Sequence, residues 1–220
     1  MIEKYFRAGI RYKWTKPNDS IGVLDGTMVD SKQAATPLIY DGLDGQLLDP
    51  LLRQVHVSTL GLSMRVPIQY AWLDYAPGRT ARLPIGPYDV LSGYMSGCII
   101  AHWTDKGIRC AGHVGTMERP DVDRLVKRTF AFAMPKDTKG FDPFRAWPTS
   151  EIADIARQVK PTKAEPFRPQ QKILALVTTH GEFYSILMLS HPNHAWCAAG
   201  IKKVPPIDHD TLKLRMLRDP

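Results

Sequence analysis

The chain has 220 residues, 44% hydrophobic and 23% charged, a composition typical of a globular protein rather than a disordered one. Its formal net charge is +7, but its basic residues are scattered and only Lys127-Arg128 and Lys202-Lys203 are adjacent, which argues against a nucleic-acid-binding arm. No uninterrupted apolar run reaches the length that a membrane-spanning helix needs.

The first residues include no apolar segment, so we expect no signal peptide of the Sec type. If the protein is exported, we expect a route that needs no such signal, or export as part of a larger particle. Residues 1–48 are rich in Asp, Gly and Pro and show little periodicity, so they predict an irregular N-terminal wrap with short strands. Residues 51–59 fit either a helix or a strand.

Strands are predicted wherever β-branched and aromatic residues lie between turn signals. They fall at residues 66–75, 97–104, 108–116, 172–179, 182–189 and 195–203. Residues 81–90 are a proline-interrupted connection that follows a turn at Gly78. The second and third strands form one hairpin, and the fourth and fifth form another around a two-residue turn, His180-Gly181.

Helices are predicted at 121–130 and 151–160, where apolar residues recur on one face and acidic residues occupy the first turn. The tail at 211–219 fits a short helix or an edge strand, and 161–170 form a proline-rich linker. Strands outnumber helices and gather in hairpins, which predicts the α+β class. We expect one domain over residues 1–220, with a central β-sandwich of mixed and antiparallel strands flanked by helices and long loops.

The first hairpin brings a thiol and an imidazole together. With Asp105 and Lys106 at the centre of the turn, paired residue numbers sum to 211, so Cys98 lies opposite His113 with Cβ atoms roughly 5 Å apart. Cys110 then faces the other side, towards core residues. His102 shares the face of Cys98 but lies roughly 13 Å along the strand, too far to act as its base.

A neighbouring imidazole can form a thiolate–imidazolium pair, which would lower the pKa of the Cys98 thiol. Such a thiolate attacks a carboxamide carbon, and His113 protonates the departing ammonia and then activates water. The small residues Ser96 and Gly97 leave the approach open, and backbone N–H groups there could stabilise an oxyanion. A buried, inert cysteine beside an ordinary histidine is the alternative interpretation.

Ser96-Gly97-Cys98, with His113 on the following strand, resembles the Ser-Gly-Cys…His signature of the cytotoxic necrotising factor catalytic domain. It is also similar to Burkholderia lethal factor and to the CheD-type chemoreceptor deamidases. In the latter two, a threonine six residues before the cysteine helps to orient the histidine, and Ser92 occupies that place here. The recognisable part is the catalytic hairpin region, residues 89–116, and Met95 stands where the toxins often have leucine.

The resemblance implies a bacterial effector toxin with a β-sandwich core that converts a protein glutamine to glutamate and needs no metal or other cofactor. Cys98 would be the nucleophile, His113 the acid/base and Ser92 the orienting group. The substrate would be a protein, such as a GTPase or a translation factor. The toxin would be secreted or injected without a signal peptide, act in the target-cell cytosol, and work as a monomer without nucleic acid or a membrane span.

Two further functions fit the same sequence. A transglutaminase would use the same Cys98–His113 pair but transfer the glutamine to an amine instead of water. A protease would use the pair to cleave a peptide bond. A non-catalytic basic binding module would use the positive charge alone, which we otherwise interpret as a solvated surface that could steer an acidic protein substrate.

Two other features are weaker candidates. His191, His194 and Cys197 have spacings compatible with a structural zinc site, although a fourth ligand is not evident. The loop at 135–149, in which we expect Trp147 to be exposed, fits either a substrate contact or a cover over the core.

Overall fold

The computed structural model describes residues 2–6, 8–13, 24–31, 35–43, 68–158, 170–190 and 196–218. The predictions for residues 51–59 and for 161–169 of the linker lie outside them.

Twelve strands and three α-helices are present in the described residues. The strands are β1 (Ile10–Lys13), β2 (Met28–Asp30), β3 (Ala35–Leu43), β4 (Ile68–Leu73), β5 (Thr80–Pro84), β6 (Val90–Gly93), β7 (Ile99–Asp105), β8 (Ile108–Val114), β9 (Lys139–Phe141), β10 (Gln171–Val177), β11 (Phe183–Ser190) and β12 (Trp196–Val204). The helices are α1 (Pro120–Ala133), α2 (Thr149–Gln158) and α3 (His209–Arg218).

The strands form two mixed sheets. The first has the order β1-β12-β11-β10-β6-β4-β3, and it closes on itself because β3 pairs back with β1. The second is a five-stranded sheet with the order β2-β5-β8-β7-β9. Only the β4–β6 and β2–β5 pairings are parallel among the described strands, and the others are antiparallel. The predicted α+β fold with a sandwich of sheets is confirmed.

Apolar side chains fill three layers. One cluster lies inside the closed sheet, a second lies between the two sheets, and a third lies between the outer face of the second sheet and helices α1 and α3. Strand β10 serves the first two layers, since Leu174 and Leu176 point inward while Ile173 and Ala175 face the second sheet. This double burial explains why β10 and β11 are apolar on both faces.

Helix α1 begins at Pro120, whose missing N–H costs nothing in the first turn, and carries Asp121 and Asp123 near its N-terminus. Its buried Val122, Val126 and Phe130 recur every fourth residue and pack on the second sheet. The C-terminal tail is a helix rather than an edge strand, and its Leu212 and Met216 enter the same cluster.

Three details of the sequence prediction are corrected. The N-terminal region has the predicted short strands, β1 and β2, but also the nine-residue β3, which completes the closed sheet with β1. The predicted connection at 81–90 contains most of strand β5, which pairs with β8. The β10–β11 turn is longer than His180-Gly181. Thr178 and Glu182 are hydrogen bonded across it, which leaves three residues in the loop, with Gly181 at φ +80°.

The register of the first hairpin is also corrected. Asp105 pairs with Ile108, and the turn centre is Lys106-Gly107, whose φ angles of +50° and +82° suit a two-residue hairpin turn. Paired residue numbers therefore sum to 213 instead of 211, and His113 lies opposite Ile100 rather than Cys98.

Candidate active site between the two sheets

Cys98 immediately precedes β7 and belongs to the cluster between the two sheets. It follows Gly97, whose φ of +119° is a backbone conformation that side chains with a Cβ rarely adopt. The thiol is buried, and the backbone N–H of Thr116 donates to Sγ at 3.3 Å. The turn at Gly97 therefore delivers the thiol to the inner face of the second sheet.

His113 lies on that same inner face, on the neighbouring strand β8. It pairs with Ile100 on one side and with Ala81 of β5 on the other, and it is fully buried. Continuing the register one step places Cys98 opposite Gly115. Cys98 and His113 are therefore diagonal neighbours on the two strands, and the Cα atoms of such neighbours are roughly 7–8 Å apart. The predicted shared face is retained, while the predicted direct pairing is wrong.

Ser92 lies on β6 of the closed sheet and contacts His113 across the interface between the sheets. Its Oγ is 2.8 Å from Nδ1 of His113 and donates to the carbonyl of Leu73 at 2.7 Å. Since a hydroxyl has one proton, Oγ accepts from Nδ1–H, and the neutral imidazole keeps its lone pair on Nε2. The arrangement therefore presets the histidine tautomer in which Nε2 can take up a proton.

Tyr75 contacts both sides of the pair, and nothing in the sequence singles it out. Its ring packs against the His113 imidazole with centroids 5.4 Å apart. Its hydroxyl donates to the Thr116 carbonyl at 2.9 Å, and the N–H of that same Thr116 bonds to the thiol of Cys98. One aromatic side chain thus fixes the surroundings of the sulfur and of the imidazole together.

Burial raises the pKa of the Cys98 thiol above the ordinary value of a cysteine, because a thiolate there would lose its hydration. Hydrogen bonds from Thr116 and from the Ser96 backbone act in the opposite direction but are weaker. The expected lowering of the thiol pKa by a preformed ion pair is therefore not found. A raised pKa favours the protonated thiol at neutral pH.

A cleft of about 700 Å³ opens over the thiol. Its lining includes Cys98, Ser96, Thr116 and Tyr75, with the exposed Phe144 at its edge. Ser96 is exposed and lines the same cleft, while the thiol itself is buried. Thr116 N–H is a backbone donor at this site that the sequence analysis did not identify.

The other thiols and histidines lie apart from this cleft. Cys110 faces the layer under helix α1, as predicted from its parity. His102 is half-buried and stacks on Phe183 with centroids 5.0 Å apart, so it is no partner for Cys98. In the described residues no three His, Cys, Asp or Glu side chains cluster as metal ligands. Cys197 is buried in β12, while His191 and His194 lie outside the described residues.

The loop at 135–149 both covers the core and contributes to the cleft. Trp147 is buried rather than exposed, with its Nε1–H bonded to Ser185 at 2.8 Å and the Lys202 ammonium 4.4 Å from its ring. Phe144 is 44% exposed and lines the cleft, and Arg145 lines an adjoining cavity.

Comparison with known proteins identifies no relative of this chain. No protein-family model, curated protein or solved structure matches the chain. Among the helices that the described residues form, none has the length and apolar character required to cross a membrane. The structural evidence for a function is therefore the arrangement of Cys98, His113 and Ser92.

Proposed function

We propose that this protein is a protein-glutamine deamidase in which Cys98 is the nucleophile, His113 the acid/base and Ser92 the group that orients the imidazole. The observation that carries the proposal is the contact of Ser92 Oγ with His113 Nδ1, on the sheet face that also bears Cys98. This contact keeps the proton on Nδ1 and the lone pair on Nε2, which is the form that a general base needs.

The reaction begins when Sγ of Cys98 attacks the side-chain carbonyl carbon of a bound glutamine. The thiol proton passes to Nε2 of His113 as the S–C bond forms. The resulting imidazolium returns this proton to the nitrogen of the collapsing intermediate, and ammonia leaves. Water then gives a proton to Nε2 and attacks the thioester, which releases glutamate and restores the thiol.

The raised thiol pKa fits a general-base mechanism. A buried thiolate would be costly before substrate binds, so the proton is transferred during the attack rather than beforehand. Backbone N–H groups near Ser96, Gly97 and Thr116 lie beside the sulfur and are the candidates to hold the oxyanion.

The biological setting of the proposal comes from the resemblance of residues 89–116 to deamidase toxins. On that basis the protein is an effector that acts in the cytosol of a target cell. Its substrate is a protein, with GTPases and translation factors as the first classes to examine, and it acts as a monomer.

The proposal is tested by exposing a cell lysate to the wild-type protein, to Cys98→Ala and to Cys110→Ala. Cys110 is a matched control because it is also a buried thiol but faces the opposite layer. We expect wild type and Cys110→Ala to convert the same glutamine to glutamate, a gain of about one dalton, and Cys98→Ala to leave it unchanged.

The same mass spectra separate the competing activities. A transglutaminase would add the mass of an amine to the glutamine, and a protease would shorten the target. A folded Cys98→Ala protein that still modifies the target would contradict all of these cysteine mechanisms. If Cys98→Ala and His113→Ala fold normally and keep the full biological effect, the enzymatic interpretations are excluded. The non-catalytic binding module then remains.

A further inference from the structure

A second cavity, of about 400 Å³, adjoins the cleft over Cys98. The two cavities share Thr116, Met117 and Phe144 in their linings. Gly97 also lines the second cavity, so it lies on the other side of the short segment that carries the thiol. A chain bound across Phe144 can therefore place neighbouring residues in the two cavities.

The second cavity is lined by charged side chains from three elements. Asp123 and Lys127 of α1 form an ion pair at 2.8 Å, and Asp142 lies 3.1 Å from Arg145 and 3.8 Å from Arg215 of α3. Three cations thus face two carboxylates.

The charged side chains of the cavity differ in exposure. Asp123 and its partner Lys127 are only 5% and 10% exposed and Asp142 is 10% exposed, whereas Arg215 is 23% and Arg145 is 62% exposed. Asp142 also accepts the backbone N–H groups of Phe144 and Arg145. The carboxylates therefore lie beneath the guanidinium groups and hold them, and a ligand at the mouth meets positive charge.

We propose that this cavity binds the carboxylate of an aspartate or glutamate that flanks the target glutamine in the substrate. The inference rests on the proposed deamidase function and adds a substrate preference to it. Guanidinium groups recognise carboxylates through paired, charge-assisted hydrogen bonds, and Arg145 and Arg215 can both supply them. An extended chain advances roughly 3.3 Å per residue, so a side chain one or two residues from the glutamine reaches the second cavity.

The test uses short peptides in which the glutamine carboxamide is replaced by a chloromethyl ketone, which alkylates Cys98 when it occupies the cleft. Asp, Asn or Lys is placed at each of the two positions on either side, and the rate of labelling of Cys98 is followed by mass spectrometry. At one of these positions we expect the Asp peptide to react roughly tenfold faster than the Asn peptide, and the Lys peptide to react more slowly.

Arg145→Glu is expected to abolish the advantage of the Asp peptide and to favour the Lys peptide. Arg157→Glu is the matched control, because Arg157 is also an exposed arginine paired with an aspartate three residues earlier. It should leave the order of the three peptides unchanged. Arg215→Gln provides a second variant and should also reduce the preference for Asp, should Arg145→Glu fail to fold.

The outcomes separate this inference from the function on which it rests. Equal rates for Asp and Asn peptides at all four positions would overturn the substrate preference alone. Failure of every peptide to label Cys98, or undiminished labelling in a folded His113→Ala variant, would overturn the proposed deamidase function and this inference with it.

Discussion

Oγ of Ser92 on β6 lies 2.8 Å from Nδ1 of His113 on β8, which makes a hydrogen bond from one sheet of the sandwich to the other. The same hydroxyl is held by the carbonyl of Leu73 on β4. The orientation of the imidazole thus depends on how the two sheets pack, and the core between them has a direct effect on the chemistry of the site.

The first prediction concerns this contact. Ser92→Ala removes the buried acceptor of Nδ1–H and the donor to the Leu73 carbonyl, which should cost roughly 1–3 kcal/mol of unfolding free energy. It should also slow the alkylation of Cys98, because the imidazole loses its fixed tautomer. Denaturant unfolding and site-resolved alkylation by iodoacetamide measure the two effects.

Ser185→Ala is the control, since Ser92 and Ser185 flank Ala175 from opposite sides and both are buried and hydrogen bonded. We expect a similar loss of stability but unchanged alkylation of Cys98. If the two variants slow alkylation equally, the effect comes from general loosening of the sandwich and Ser92 has no orienting role.

The second prediction concerns Tyr75. Tyr75→Phe keeps the ring against His113 but removes the hydrogen bond to the Thr116 carbonyl, whose N–H partner is the Cys98 sulfur. We expect activity to fall roughly tenfold while the melting temperature changes little. Tyr184→Phe removes a comparable hydrogen bond, to Glu182, outside the cleft and should retain activity. Full activity of Tyr75→Phe would limit the role of Tyr75 to packing.

The third prediction uses a glycine. A Cβ at Gly115 would lie 2.7 Å from the Tyr75 ring, so Gly115→Ala must displace that ring from His113. Such overpacking costs roughly 1–3 kcal/mol, and we expect most of the activity to be lost as well. A Cβ at Gly86 meets nothing within 4 Å, so Gly86→Ala should match wild type in both assays. An active Gly115→Ala protein would show that the position of Tyr75 is not critical.

The shared face of Cys98 and His113 could be predicted from the sequence even though the register was wrong. The sums of paired residue numbers are 211 in the prediction and 213 in the structure. A difference of two leaves every side chain on its predicted face of the sheet, whereas a difference of one would move it to the opposite face. The predicted turn centre, Asp105-Lys106, is one residue too early. Gly107 has a positive φ and occupies the second position of the two-residue turn, where glycine is favoured.

Contacts between distant segments could not be predicted in this way. Tyr75 and Thr116 are 41 residues apart, and no local pattern links them. The same holds for the charged cavity, whose lining comes from α1, α3 and the loop after β9. Ser92 could be named only through the resemblance, since a buried serine on a short strand has no sequence signal of its own.

The fourth prediction is the pH dependence of the thiol. Burial raises the pKa of Cys98, so at a given pH it carries less thiolate than an ordinary cysteine. In the absence of substrate, its alkylation by iodoacetamide should therefore keep rising with pH through the neutral range. Mass spectrometry of the peptide that contains Cys98 distinguishes it from Cys110 and Cys197. A plateau at mildly acidic pH would instead reveal a preformed thiolate–imidazolium pair.

The fifth prediction concerns stability in acid. Burial, with help from the charges of Lys139 and Arg109, lowers the pKa of His102 below its ordinary value of 6.5. As pH falls below 6.5, the unfolded chain takes up a proton at this position more readily than the folded protein, so the free energy of unfolding decreases. His102 therefore contributes stability that is present above pH 6.5 and is lost as the pH falls through its lowered pKa.

His102→Gln should reduce the difference in unfolding free energy between pH 8 and pH 5, as measured by denaturant titration at both values. His180→Gln is the control for the loss of a histidine, because His180 lies exposed in the β10–β11 turn. An equal reduction in that variant would show that the effect is not specific to His102. If His102→Gln keeps the full difference, other buried groups are responsible for the loss of stability in acid.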